Sequence, residues 1–553
     1  MKKVRFKLIG LVTLLLWALA GFSCSKGGDD NGEGPSGGKI PDYQARTWDG
    51  QKRAGVYYEI FVRSFADSNG DGIGDLQGIT DKLPYLQDLG VSGIWLTPIH
   101  PSPSYHGYDV EDYTAINPQF GTMADFDRML AKAHSLDIDV ILDFVVNHTS
   151  KTHPWFTSAC TSTSSPTRDY FLFAQGSRVA AEIAAGNVPM VKTYNDWQWH
   201  TVPSGTTNYK YYGEFSDWMP DLNYHAVEEA ENSPAFQAIC RDAKFWLDKG
   251  VDGFRLDAVK HIYQDENSDE NPRFLKKFHQ ELQKTKPDVY LVGEALSESN
   301  KVAPYYAGLP AMFEFSGWWE MEAAINNGTI RDYPKNLLYY RNMYSQYNRN
   351  FIQATKLSNH DEDRTRSKLG DNIAKCKMAA ALLMTVAGSP YVYYGEEIGM
   401  RGMKTGGDEN VREPFLWDYL LHDPYRTTWM VPKNSTDSYV TDATRQLQDP
   451  NSLLNTYKDL IRLRNTYPAL ATGEMSMPSW LGNLDGQVTA FYRTEGSEKL
   501  LVIHNASGYS STVTVPETLK QAVAGFGDIR ITEEKAGSLT LKMPAMSTFI
   551  CQL

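Results

Sequence analysis

The chain has 553 residues and a formal charge of −13, from 54 Lys and Arg against 67 Asp and Glu. Apolar residues make up 42 % and charged residues 22 %, a balance that excludes a disordered chain and a multi-span membrane protein. Such an acidic surface repels phosphate backbones, which excludes nucleic acid as a partner, and the length excludes a single small domain.

The first 23 residues run from a basic stretch (Lys2, Lys3, Arg5, Lys7) through the apolar segment Leu8 to Leu19 and end in small residues before Cys24. The apolar run is too short for an ordinary membrane span and reads as a processed export signal over 1–23. Its Ser23-Cys24 ending resembles a bacterial lipoprotein signal, with Cys24 as the lipidated residue and a plain cleaved signal as the alternative. Residues 24–48 are rich in Gly, Asp and Ser with little to bury, so they are expected to form a flexible tether. The acidic residues after the cysteine resemble the surface-export signal of Bacteroidetes lipoproteins. That implies an outer-membrane, lipid-anchored protein facing the cell exterior, with the periplasmic face as the alternative. Cys160, Cys240, Cys376 and Cys551 lie far apart without a CxxC pair and read as buried thiols, one disulfide being the alternative.

Short apolar segments then recur at Val56–Val62, Val91–Pro98, Asp139–Val145, Gly253–Leu256, Val289–Gly293, Ala311–Phe315, Ala354–Ser358 and Val392–Tyr394. Helical patterns separate them, among them Met123–Leu136, Ala235–Lys249, Pro272–Thr285 and Ala374–Thr385. Eight strand–helix units predict an α/β fold, a (β/α)8 TIM barrel. The open doubly wound rival is weakened because no Gly-rich dinucleotide loop follows a strand. After the first strand, Asp67, Asn69, Asp71, Ile73 and Asp75 alternate, with Gly70, Gly72 and Gly74 between them. Oxygen ligands at alternate positions, with a backbone carbonyl from Ile73 and glycines allowing a tight wrap, follow the logic of a Ca2+ loop. A plain Gly/Asp turn is the alternative.

Some 76 residues after the third strand, 149–224, are too many for an ordinary βα loop and are expected to protrude as a subdomain. Trp155, Trp197, Trp199 and Trp218 lie there and either line a groove or pack. The barrel would thus occupy 49–148 and 225–466. Beyond the helical pattern Leu453–Thr466, β-branched segments from Val488 to Gln552 predict a C-terminal antiparallel β-sandwich over 467–553.

Barrel chemistry collects at the C-terminal ends of strands. Those ends carry Asp143, Asn147 and His148 in DFVVNH, Arg255, Asp257, Lys260 and His261 in GFRLDAVKH, Glu294 in VGEAL, and His360 and Asp361 in SNHDEDR. One strand-end carboxylate is commonly a helix cap; three at successive strands, with Arg and His beside them, are not. A carboxylate pair can hydrolyse an acetal, one donating a proton and the other stabilising an oxocarbenium-like carbon. Arg255, two residues before Asp257 on a strand, points to the same side and is expected to keep that carboxylate ionised. Glu294 has to hold its proton, which asks for burial or a nearby like charge.

These four segments, with HGYD at His106–Asp109 and MPDLN at Met219–Asn223, resemble the α-amylase family of glycoside hydrolases over essentially all of the chain after residue 50. The variants seen here resemble the surface-anchored amylase lipoproteins of Bacteroidetes starch-utilisation systems. The resemblance implies retaining endo-hydrolysis of α-1,4-glucosidic bonds in starch, amylose and maltooligosaccharides. It implies Asp257 as nucleophile, Glu294 as general acid/base and Asp361 as the third carboxylate. It also implies sugar contacts from His106, Tyr108, His148, Arg255 and His360, and from Lys260 and His261 on the leaving-group side. Outer-membrane glucan-binding and transport proteins are implied partners. Asn147 and Asp221 match ligands of a second, less certain calcium. Met219–Asn223 and the GDGIGDL segment resemble instead the oligo-1,6-glucosidase and neopullulanase branch, which keeps that reading open. A non-catalytic starch-binding lipoprotein is the rival outside enzymology; it predicts a degraded carboxylate, and all three are present.

Overall fold

The computed structural model describes residues 55–185, 198–263, 269–419 and 423–553. The export signal and tether, with Cys24 and all other residues up to 54, and Trp197 lie outside the described residues.

Eight parallel strands close the barrel in chain order. They are β1 Tyr57–Ile60, β2 Gly93–Leu96, β3 Asp139–Phe144, β4 Gly253–Leu256, β5 Tyr290–Gly293, β6 Ala311–Glu314, β7 Ile352–Lys356 and β8 Ser389–Tyr393. All eight expected segments form strands. β8 starts three residues before the expected Val392, because Ser389 and Pro390 pair with Ala354 and Thr355 of β7.

Strand alternation sends one set of side chains inward and the other under the helices. The inward set includes Tyr57, Trp95, Ile141, Tyr290, Val292, Phe313 and Tyr391. The Tyr57 ring stacks on Tyr290 at 5.4 Å and on Tyr391 at 5.0 Å. A Cβ at Gly93 would collide with the Tyr57 ring, so β2 opens on the residue that has none. The outward set, such as Tyr58, Ile94, Val140, Phe254 and Leu291, joins the main core beneath the helices.

Those helices are α1 Leu76–Leu89, α2 Met123–Ser135, α3 Pro234–Asp248, α4 Glu270–Gln283, α5 Ser316–Asn327, α6 Tyr333–Ser345, α7 Ile373–Thr385 and α8 Leu453–Thr466. Their starts are written locally. Thr122 and Asp125 form a capping box on α2, and Ser233 caps α3 with Pro234 in its first turn.

Between β3 and α3 the chain builds a helix, Pro154–Thr161, and a three-stranded antiparallel sheet from Phe173–Gln175, Tyr209–Tyr212 and Trp199–Thr201. Antiparallel bridges His148–Asp221 and Phe171–Leu222 staple its base to the end of β3. The C-terminal part has five strands in one sheet and three in another, facing each other across Val488, Ile503, Val513, Leu541 and Phe549. Two of its strands, Glu474–Ser476 and Gln521–Phe526, were not anticipated from the sequence. Gly525 breaks the apolar alternation of the second, and the first is only three residues long. Buried Arg464 of α8 donates to the carbonyls of Met384 and Val386 and ties α8 to the end of α7, while Arg493 of the sandwich donates to the carbonyl of Thr385 and fixes the sandwich on α7. Cys160, Cys240, Cys376 and Cys551 are buried free thiols, so the disulfide alternative falls.

Candidate active site

The ends of β3, β4, β5 and β7 deliver polar groups to the mouth of the barrel, and one guanidinium gathers three of the carboxylates. Arg255, fully buried at the end of β4, donates through Nη1 to Asp143 at 2.7 Å and to Asp257 at 2.7 Å, and through Nη2 to Glu294 at 2.6 Å. Its guanidinium also lies 5.1 Å from the Trp95 ring centre. The sequence reading gave Arg255 to Asp257 alone. In the structure three carboxylates share it, because β3, β4 and β5 are adjacent and their ends lie level. Ala258, directly after Asp257, is left-handed at φ 46°, a strained conformation for a residue with a side chain.

A second layer holds Asp361. Protonated His360 donates through Nε2 to Asp361 at 3.0 Å and through Nδ1 to Glu59 at 2.6 Å. Arg412 reaches Asp361 through Nη2 at 2.7 Å, the His360 carbonyl through Nε at 2.9 Å and the Tyr105 hydroxyl through Nη1 at 2.8 Å. Tyr108 links the two layers: its ring stacks on His360 at 5.4 Å, and its hydroxyl lies 2.8 Å from Asp143 and 2.6 Å from His360. His106 stacks on Tyr108 at 6.0 Å and lies 3.1 Å from Ser104 Oγ, which in turn bonds Asp109.

The electrostatics follow from burial and from an excess of acids. Asp143, Asp257, Glu294, Asp361 and Glu59 face only three cationic groups: Arg255, Arg412 and protonated His360. Burial pushes Glu294 up; Arg255 opposes, while Asp257 and Asp361 add to the rise. Burial also pushes Asp257 up, and Arg255 opposes that rise, in the direction expected of a guanidinium beside it. Asp143, buried behind them, rises to about 7 for the same reason. Asp361 goes the other way. Burial alone would raise it, but His360 and Arg412 hold it well below the usual carboxylate range. Burial disfavours charge on His360 too, yet Asp361 and Glu59 on either side lift it to about 10. Burial thus shifts Glu294, Asp257 and Asp143 all toward the protonated form, while Asp361 keeps its negative charge.

The remaining candidates line one flank. His148 is buried, lowered to about 4 by that burial, and its Nε2 has no hydrogen-bond partner. Its ring is 5.3 Å from that of Phe215, which is 5.0 Å from that of His261. His261 Nδ1 lies 3.5 Å from Glu214, and Lys260 Nζ donates to the Leu296 carbonyl at 3.0 Å. Of the four subdomain tryptophans, Trp218 is half exposed, while Trp155 packs against Tyr170 and Trp199 against Tyr212. Sequence reasoning missed Glu59, Tyr105, Glu214 and Arg412. Glu59 carried a signal, an acid inside a fully buried strand; Arg412 carried none, standing in a loop long after its partners.

The calcium candidates are built differently. Asp67 accepts from the backbone N–H of Asn69, Gly70 and Gly72, and Asp75 from Ser68 and from Gly78 as the cap of α1. Asn69 and Asp71 accept from the N–H two residues on. The loop thus wraps on itself through its own carboxylates. Among the described residues no three acidic, histidine or cysteine side chains converge as a metal cluster. At the second candidate, Asn147 Oδ1 is buried without a partner beside buried Asp221, whose carboxyl burial pushes well above its usual range. An orphaned acceptor and a neighbouring buried acid fit a cation there.

Residues 59–473 match the family described as alpha amylase, catalytic domain, and residues 488–550 match the alpha-amylase SusG C-terminal domain. The chain is 40 % identical to the alpha-amylase SusG of Bacteroides thetaiotaomicron, with 92 % of each covered. It is 39 % identical to alpha-amylase 3 of Dictyoglomus thermophilum, over 84 % of this chain and 87 % of that one. An oligo-1,6-glucosidase of Parageobacillus thermoglucosidasius is 32 % identical, over 84 % and 91 %. Among solved structures, an alpha-amylase from H. orenii superposes with a TM-score of 0.80 at 38 % identity, covering 90 % of this chain and 99 % of that one.

Proposed function

This chain belongs to the α-amylase family of glycoside hydrolases, and from that premise we propose that it is an α-amylase: it hydrolyses internal α-1,4-glucosidic bonds of starch, amylose and maltooligosaccharides with retention. The observation that carries the reading is the single guanidinium of Arg255 bonded to both Asp257 and Glu294, with Asp361 held ionised nearby. Asp257 and Glu294 stand at the ends of neighbouring strands, the placing a nucleophile and a proton donor need across one glycosidic bond.

In the first step Glu294 gives its proton to the bridging oxygen, the bond from that oxygen to C1 breaks, and an Asp257 oxygen bonds C1. In the second, Glu294 takes a proton from water, whose oxygen attacks C1 and releases Asp257. Asp361 holds sugar hydroxyls and opposes the positive charge that develops on the ring. Tyr108 offers a ring face to the pyranose, and His106, His148 and His360 offer nitrogens to its hydroxyls. Lys260 and His261 flank the leaving side. Proton NMR tests the reading: the α-anomer of the new reducing end should form first from maltoheptaose, and initial β-anomer would sink the mechanism. The relatives named oligo-1,6-glucosidase favour a second reading, and turnover of isomaltose or pullulan at a rate above that of amylose would select it.

The finer readings rest on the sequence. The division into barrel 49–148 and 225–466, subdomain 149–224 and sandwich 467–553 is supported by the strand grammar, and that into signal 1–23 and tether 24–48 by the basic and apolar run before Cys24 and the Gly- and Asp-rich stretch after it. Calcium at Asp67–Asp75 is supported by the alternating oxygens and by Gly70 and Gly72 at positive φ; calcium at Asn147 and Asp221 is supported by the orphaned Asn147 oxygen. Bound there, the ion would brace the fold and the base of the subdomain. Outer-membrane anchoring through lipidated Cys24, facing outward beside glucan-binding and transport proteins, is supported by the signal and the acidic tether. Cys24→Ala should leave the membrane fraction, and unchanged attachment would end the lipoprotein reading.

A further inference from the structure

Glu59 is an acid in a strand whose other side chains, Tyr57, Tyr58 and Ile60, are aromatic or apolar, and it is 1 % exposed. Burying a carboxylate is costly unless a group of opposite charge meets it. Among the described residues its hydrogen bonds come from one residue, His360. Glu59 Oε1 lies 2.6 Å from His360 Nδ1 and accepts from the His360 backbone N–H at 3.3 Å. On the far side of the ring, Nε2 lies 3.0 Å from Asp361 and 2.6 Å from the Tyr108 hydroxyl. The ring cannot turn away, since Tyr108 stacks on it at 5.4 Å and Trp95 meets it edge-on at 5.7 Å. A neutral imidazole has a single N–H, so it would aim a lone pair at one of the two carboxylates. Asp361 is already bound as an anion by Arg412 at 2.7 Å, and Glu59 Oε1 already accepts a backbone N–H. A ring carrying both protons satisfies every one of these contacts.

We propose that Glu59 is a positioning residue for the hydrolysis: it holds His360 as an imidazolium, whose Nε2–H in turn keeps Asp361 charged and aimed. The inference rests on the reading of Asp361 as the carboxylate that opposes the developing positive charge. Other ionisable groups face His360 from around the barrel mouth. They are His106 and Tyr108 after β2, Asp143, Asp257 and Glu294 at the ends of β3, β4 and β5 with the Arg255 they share, and Arg412 on the His360 carbonyl. All of these stay in place in Glu59→Gln, which keeps the shape of the side chain and removes one negative charge. Glu59 and Asp361 together lift the ring to about 10, so with one of them gone it gives up its proton at a lower pH. At acid pH the variant still has its imidazolium. As pH rises, Nε2 becomes a lone pair facing Asp361, and the defect grows.

The test measures kcat and KM of Glu59→Gln on maltoheptaose across the pH range, beside the unmodified protein. Relative to that protein, kcat should fall about threefold near pH 5 and about thirtyfold near pH 8.5, with KM moved less than about twofold. Nitrogen NMR of histidine-labelled protein reads the ring directly, its signals assigned by their loss in His360→Asn. Near pH 7 both His360 nitrogens should carry protons in the unmodified protein, and Glu59→Gln should lose one of the two by about pH 8.5. A fall in kcat that is the same at every pH would make Glu59 a packing residue and overturn the relay, as would an unaltered rate. A single protonated nitrogen on His360 in the unmodified protein would overturn it too, by leaving the proton on Glu59. No turnover by the unmodified protein would instead defeat the hydrolase reading, and the positioning role with it, whatever charge the ring carries.

Discussion

Replacing Arg412 by alanine probes a residue that only the folded chain brings to the site. Its side chain is 3 % exposed and makes four polar contacts: to the Asp361 carboxylate, to the His360 carbonyl, to the Tyr105 hydroxyl and, at 3.5 Å, to the Asp408 carboxylate. Removing one partner of a fully buried ion pair costs about 3–5 kcal/mol. Here the Asp361 side chain is 37 % exposed, so water takes over part of the contact and the figure falls to about 1.5–3 kcal/mol. At ~1.4 kcal/mol per tenfold, that predicts a drop in kcat/KM of about ten- to a hundredfold, because Asp361 would meet the developing charge less firmly held. A pH effect accompanies it. Arg412 is one of the groups holding Asp361 low, so its loss lets that carboxyl rise, and the acid limb of the rate profile should move to higher pH. The assay is initial rates on maltoheptaose from acid to mildly alkaline pH, with circular dichroism melts to establish that the variant folds. A folded Arg412→Ala protein with kcat/KM within twofold of the original and an unmoved acid limb would refute the reasoning.

Asp257→Asn and Glu294→Gln should each lower turnover by several orders of magnitude while glucan binding, measured by calorimetry, survives; near-normal turnover in Asp257→Asn would remove it as nucleophile. Glu396 lies buried among the hydroxyls of Ser358, Thr365 and Tyr457, and burial lifts its carboxyl to about 7. An acid raised on folding stabilises the protein below its unfolded value near 4.5 and loses that contribution as pH rises through 7, about 3 kcal/mol here. Glu396→Gln should therefore flatten the fall of melting temperature between pH 4.5 and 7, leaving the similar contribution of Glu397; an unaltered slope would count against it. Chelation of calcium should lower the melting temperature, and Asp67→Ala should abolish that response with little change in kcat; a response that persists in the variant would move the ion elsewhere.

The sequence by itself determined the barrel, because each strand and helix is specified locally: a run of four to six apolar residues, a capping Ser, Thr or Asp, a glycine at a turn. It determined the strand-end carboxylates as well, since position along a strand fixes which end of the barrel a residue reaches. Arg255 and Asp257, two residues apart, could be assigned to one face for that reason. What it left open is who meets whom across hundreds of residues. That Arg255 serves Asp143, Asp257 and Glu294 together depends on three strands being level. That Glu59 and Arg412 converge on His360 and Asp361 depends on the first strand closing beside the last and on a long loop folding back over the mouth. The same holds for charge. Glu294 and Asp361 are both acids at strand ends, and nothing in their local sequence sends one up and the other down. Burial beside a shared arginine does the first, and a histidine and an arginine gathered from distant segments do the second. Local sequence encodes backbone geometry, whereas a proton's affinity is set by neighbours in space, and only the tertiary structure supplies those.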